Sequence, residues 1–77
     1  MGNNTIYTVL VENLKDDGSV LFATVAGKCF ARRDDAVRYC KRQRGELVGT
    51  NDYNIFTKYN NGQATRYTVE ASGLERF

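Results

Sequence analysis

Six basic side chains, Arg32, Arg33, Arg38, Lys41, Arg42 and Arg44, fall within thirteen residues beside only two acidic ones, Asp34 and Asp35. Cations at that density suit an anionic partner, because each Lys or Arg that meets a phosphate displaces a counterion and makes the affinity steeply salt-dependent. This segment carries a net +4 and the rest of the chain −2, so the overall +2 conceals a segregated charge. At three- and four-residue steps, Arg38, Lys41 and Arg42 share one helical stripe that could meet several phosphates. The same residues also admit a plainer arrangement. Asp34 and Asp35 would pair with Arg38 one turn on, and the C-terminal cations would offset the helix dipole on a solvated face.

A second set, Lys58, Tyr59 and Arg66, combines an aromatic ring with cations, as surfaces that stack on single-stranded bases do. Tyr and Arg are equally enriched where proteins dock. An open antiparallel sheet also tolerates Tyr, Thr and Lys on its wet side without any partner. No aromatic motif of the RNA-recognition type occurs. The residues expected to touch a partner are therefore Arg38, Lys41, Arg42, Arg44, Lys58, Tyr59 and Arg66.

Catalytic chemistry is poorly provided for. With no histidine in 77 residues, a Ser or Cys nucleophile has no imidazole to take its proton. Asp16-Asp17 reads as turn chemistry and Asp34-Asp35 as a helix start, so neither pair is expected to hold a metal or do acid–base work. Gly27-Lys28 lacks the earlier glycine and the following Ser or Thr of a phosphate-binding loop, Phe22 and Cys29 standing in those places. Two thiolates without histidine do not close a zinc site, and Cys29 and Cys40 read as two buried free thiols. The expectation is a non-enzyme with no cofactor and no metal.

The apolar run from Val20 to Ala26 is too short to cross a bilayer, and "MGNNTIYT" lacks the basic and apolar regions of a signal peptide. Ile6 stands where a myristoylated terminus wants Ser or Thr, and Asn3-Asn4-Thr5 matches a glycosylation acceptor that would need a secretory route. A cytoplasmic protein with no membrane partner is expected.

These residues need elements to hold them. "TIYTVLVEN" (5–13) and "VLFATVA" (20–26) are rich in β-branched and aromatic types and flank Asp17-Gly18, a type I′ hairpin signal. Ala36, Val37 and Cys40 recur at helical spacing, with Asp34 and Asp35 before them and Gly45 after, placing a one-faced helix at about 33–44 with Gly45 as its left-handed cap. "YNIFTKYN" and "QATRYTVEA" flank Asn61-Gly62, a second type I′ signal. With that loop, Tyr59 faces Ala64 and Phe56 faces Tyr67. Phe56, Tyr67 and Val69 then form the core side, with Ile55, Tyr59, Arg66 and Thr68 on the other.

The result is an α+β fold in ββαββ order: a four-stranded antiparallel sheet with one helix packed on one face. At this length it is a single domain (1–77), with an ordered core over about 5–71 and a mobile tail over 72–77 unless Leu74 and Phe77 dock. Its two sheet edges leave monomer and homodimer both open.

In size, lack of catalytic residues and compact α+β layout, the chain looks like the small phage-encoded proteins that bind and disable host defence complexes, anti-CRISPR proteins among them. The resemblance spans the plan of the chain rather than any motif, and assigns no residue a role. It implies a stoichiometric inhibitor from a phage or mobile element that blocks a host protein or nucleoprotein complex without turnover. The competing expectation is a small basic regulator that binds nucleic acid directly through the Arg/Lys-rich helix.

Overall fold

A computed structural model describes residues 5–73. Five strands and one helix follow in ββαβββ order: β1 (Thr5–Leu14), β2 (Val20–Val25), α1 (Arg33–Arg42), β3 (Glu46–Asp52), β4 (Ile55–Asn60) and β5 (Gln63–Gly73). The strands form one antiparallel sheet in the order β2-β1-β5-β4-β3. The class is thus α+β with one helix, but the expected four-stranded ββαββ sheet is corrected to five strands. The extra strand, β3, was concealed by its composition. Gly49 and the acidic residues Glu46 and Asp52 weaken the strand signal, and its pairing with β4 is irregular on both sides of Gly49.

The long β1–β5 pair forms the spine, with Val9 opposite Val69 and Val11 opposite Tyr67. Side chains alternate across a strand, so Tyr7, Val9 and Val11 share a face with Tyr67 and Val69. The helix lies on that face, over β1 and β5. Its Ala36 and Cys40 are buried with Val9, Phe56 and Val69, and Tyr7, Val11, Phe30, Val37, Tyr39 and Tyr67 close the margins. Burying a side chain such as Val9 or Phe56 contributes about 1.5–3 kcal/mol. With five buried apolar residues among those described, the core is small.

The second hairpin has the expected register, with Tyr59 opposite Ala64 and Phe56 opposite Tyr67. Asn61 (φ 53°) and Gly62 (φ 80°) both take the left-handed backbone that a type I′ turn requires. The first hairpin departs from expectation. Only Gly18 (φ 86°) has positive φ there, and the Gly18 N–H donates to the Lys15 carbonyl at 2.9 Å while the Lys15 N–H donates to the Ser19 carbonyl at 2.8 Å. Asp16, Asp17 and Gly18 therefore form a three-residue loop, not a type I′ turn. The Asp17 carboxylate accepts from the Ser19 N–H (2.9 Å) and hydroxyl (2.6 Å), and these bonds hold its pKa below the ordinary carboxylate value.

The helix stops at Arg42, two residues short of the expected end, and Gln43 is already extended (φ −65°, ψ 150°). Gly45 (φ 113°) does not cap it. Instead it turns the chain into β3 where the backbones run close: a Cβ there would lie 3.0 Å from the Tyr59 carbonyl oxygen. Leu74 and Phe77, on whose docking the expected order of the tail depends, lie outside the described residues. Ser72 and Gly73, expected in that tail, instead pair within β5 with Ile6 and Thr5.

Candidate functional site

Arg38 stands between the two flanks of the helix, bordering one hollow with Arg42 and another with Lys41. It is exposed along the outer crest, with Asp35 3.7 Å away at i−3. Asp34, expected to join that pair, lies instead 3.8 Å from Arg33. Arg42 falls on one flank and Lys41 on the other, where it borders Val37, Leu47 and Phe56 beside β3. Arg44 is exposed beyond the helix, in the connection to β3.

On the Arg42 flank the chain builds a groove that sequence reasoning missed. After β2, the Ala26 N–H donates to the Val9 carbonyl at 2.9 Å, and Phe30 and Tyr7 exchange two backbone bonds of 2.8 and 2.9 Å. Residues 27–29 are thereby held as a short exposed loop at the side of β1, carrying Lys28 to the rim. Phe30 places its ring 5.5 Å from that of Tyr39, tilted by 49°, an aromatic geometry that is favourable beyond area burial. Lys28, Arg38 and Arg42 surround this ring pair, with Asp35 as the single anionic lining residue among those described. Among the described residues, Lys28 and Arg42 take part in no ion pair. The one signal in the sequence was Tyr39 lying between Arg38 and Arg42; Phe30 reaches it only through its pairing with Tyr7 of β1, and Lys28 only through the loop that this pairing closes.

Arg33 is committed to structure. Its Nε donates to Asn54 Oδ1 at 2.7 Å, its terminal nitrogen donates to the Tyr53 carbonyl at 3.1 Å, and its guanidinium carbon lies 3.5 Å from the Tyr53 ring centroid. These contacts tie the start of α1 to the turn between β3 and β4.

Lys58 is a correction. It was expected on the outer side with Tyr59 and Arg66, but adjacent residues of a strand point to opposite faces, and Lys58 points inward. It is 5% exposed, and its Nζ donates to the carbonyls of Lys41 (2.6 Å) and Gln43 (2.9 Å). A helix ends with unpaired carbonyls and a partial negative charge. The ammonium of β4 satisfies both needs, so Lys58 caps the helix and is not available to a partner.

Tyr59 and Arg66 do share the open face of the sheet, as the register requires. Tyr59 is exposed. Arg66 Nε, however, donates to Glu12 Oε1 at 2.9 Å across the β1–β5 pair, both side chains being mostly covered. The carboxylate raises the Arg66 pKa further and neutralises its charge toward any phosphate. The aromatic-plus-cation set thus reduces to Tyr59 with a compensated ion pair nearby.

The two cysteines have different surroundings. Cys40 is buried, and desolvation pushes its pKa up to about 11. Cys29 is exposed in the loop beside Lys28, which corrects the expectation of two core thiols. No cluster of three or more Cys, Asp or Glu residues able to hold a metal occurs among the described residues. No described helix is long and apolar enough to cross a membrane. No family model matches the chain, and neither does any curated protein or solved structure.

Proposed function

We propose that the chain is a non-enzymatic binding protein that occupies a surface of a larger protein or nucleoprotein complex, in the manner of a phage or mobile-element inhibitor of a host machine. The observation that carries this reading is the groove in which Lys28, Arg38 and Arg42 surround the Phe30–Tyr39 ring pair. Arg and Tyr dominate the energetics of docking surfaces because a large rigid side chain and a multivalent donor gain much when water is excluded. The groove is an open surface feature, suited to receiving part of a partner rather than enclosing a small substrate.

A second reading, direct binding of single-stranded nucleic acid, is favoured by the same rings, since a base can stack on an aromatic side chain while cations meet the backbone. Fluorescence polarisation with single- and double-stranded DNA and RNA separates the two. If Lys28, Arg38 and Arg42 each neutralise one phosphate, affinity falls about 20–40-fold between 50 and 200 mM salt, and Arg38→Glu with Arg42→Glu abolishes it. Absence of binding by naked nucleic acid, with nuclease-resistant retention of a host protein that the same double variant loses, supports the inhibitor. Retention unaffected by the variant would overturn the role of the groove.

A further inference from the structure

We propose that the outer edge of β2 pairs antiparallel with β2 of a second copy, joining two five-stranded sheets into one ten-stranded sheet. A sheet edge carries a row of unpaired backbone N–H and C=O groups, and proteins guard such edges with charges, proline, bulges or a covering element. The two edges of this sheet are treated differently. β3 carries Glu46 and Asp52 and is irregular on both sides of Gly49. β2 lies in a stretch, Gly18 to Gly27, that contains no charged residue and no proline. Every residue of β2 is exposed, with Val20, Leu21, Phe22 and Val25 between 41 and 58% accessible. Its one irregularity, where Leu21 is skipped between the Asn13–Phe22 and Leu14–Val20 pairs, leaves Phe22–Val25 regular.

The occupant that fits is a second copy. Self-pairing sets a neutral strand against a neutral strand, so no like charges meet and no charged group is stripped of water. A strand of a charged partner would have no counter-charge to meet along this edge. Geometry agrees. A twofold axis perpendicular to the sheet makes the strands antiparallel and keeps both helices on one side. Facing residues then share a face, and a register centred on Ala23 sets Phe22 of each copy opposite Thr24 of the other. The helix lies over β1 and β5, so at the strand spacing of about 4.8 Å the two helix axes stand roughly 20 Å apart and do not collide. The gap between them lies over the paired β2 strands, where the two Phe22 side chains cover each other's strand. The two grooves, each beside its own helix, would then belong to one body.

A six-residue strand is only about 20 Å long. The interface is therefore small and the dissociation constant is expected in the range of about 1–100 μM. Sedimentation equilibrium of the full chain over that range is expected to show the mass rising from 8.7 kDa toward twice that value. Phe22→Lys is expected to hold the protein at the monomer mass with an unchanged far-ultraviolet spectrum. Thr24→Lys, at an exposed polar position less able to disturb folding, is expected to do the same. In the unaltered protein, amide exchange across residues 19–26 should slow at least tenfold as concentration rises through the transition, while β3 does not change. A monomer mass throughout, or a dimer that survives Thr24→Lys, would overturn the proposal. Neither outcome bears on whether the groove binds a partner, which is read from a different experiment.

Discussion

Replacing Lys58 with methionine keeps most of the aliphatic stem and removes the ammonium, leaving the carbonyls of Lys41 and Gln43 without their donor. Hydrogen bonds to a charged group contribute about 1.5–3 kcal/mol. Lys58→Met is expected to destabilise the fold by that amount in urea titration, whereas Lys41→Met, at an exposed position, stays within about 0.5 kcal/mol. The thiols give a second residue-level outcome: at neutral pH a thiol reagent labels Cys29 promptly and Cys40 only on unfolding. Because the folded pKa of Cys40 is raised to about 11, the folded state holds its proton where the unfolded thiol has already lost it. This contribution is complete below the unfolded value near 9 and falls away as pH rises toward 11. Wild type is expected to lose stability more steeply than Cys40→Ala across that window in pH-dependent urea melts. Asp17 has the opposite sign. Its lowered pKa gives stabilisation that is present above the unfolded value near 4 and is lost as pH falls through the folded one.

At the scale of elements, Gly45 joins the helix end to β3 with φ 113° and with the Tyr59 carbonyl oxygen 3.0 Å from where a Cβ would sit. Gly45→Ala therefore adds backbone strain to a steric conflict, and is expected to cost more than about 1 kcal/mol. Gly49→Ala, where a Cβ meets nothing within 4 Å, is the control; equal losses in urea titration would refute the account. How far the elements could be read in advance depended on where their determinants lie. The second hairpin was legible in full because Asn61-Gly62 fixes its turn and the turn fixes its register. The body of the helix was legible because Ala36, Val37 and Cys40 recur on one face. Its end was not, since the cap arrives from Lys58, far along the chain. Nor was β3, whose residues form a strand only because β4 is there to pair with them.

In the whole molecule, the same division separates residues that sequence could place from those it could not. Arg38 and Arg42 were identified by helical spacing, while Lys28 and Phe30 join them only through pairing of their segment with β1. Arg66 was placed on the correct face, but its neutralising carboxylate, Glu12, comes from the other end of the chain. Lys28 thus adds its charge to the groove while that of Arg66 is compensated, and Lys28→Glu is expected to weaken partner binding at least fivefold in the assays above, while Arg66→Ala changes it less than twofold. The burial of Lys58 also governs how the molecule sits when tethered through its amines. Of the described lysines, only Lys15, Lys28 and Lys41 are exposed. Lys28 lies on the rim of the groove and Lys41 on the opposite flank of the same helix. Attachment through the side chain of Lys28 or Lys41 would therefore turn the helix side of the molecule toward a sensor surface, whereas attachment through Lys15, beside the loop of the first hairpin, leaves that side facing the solution.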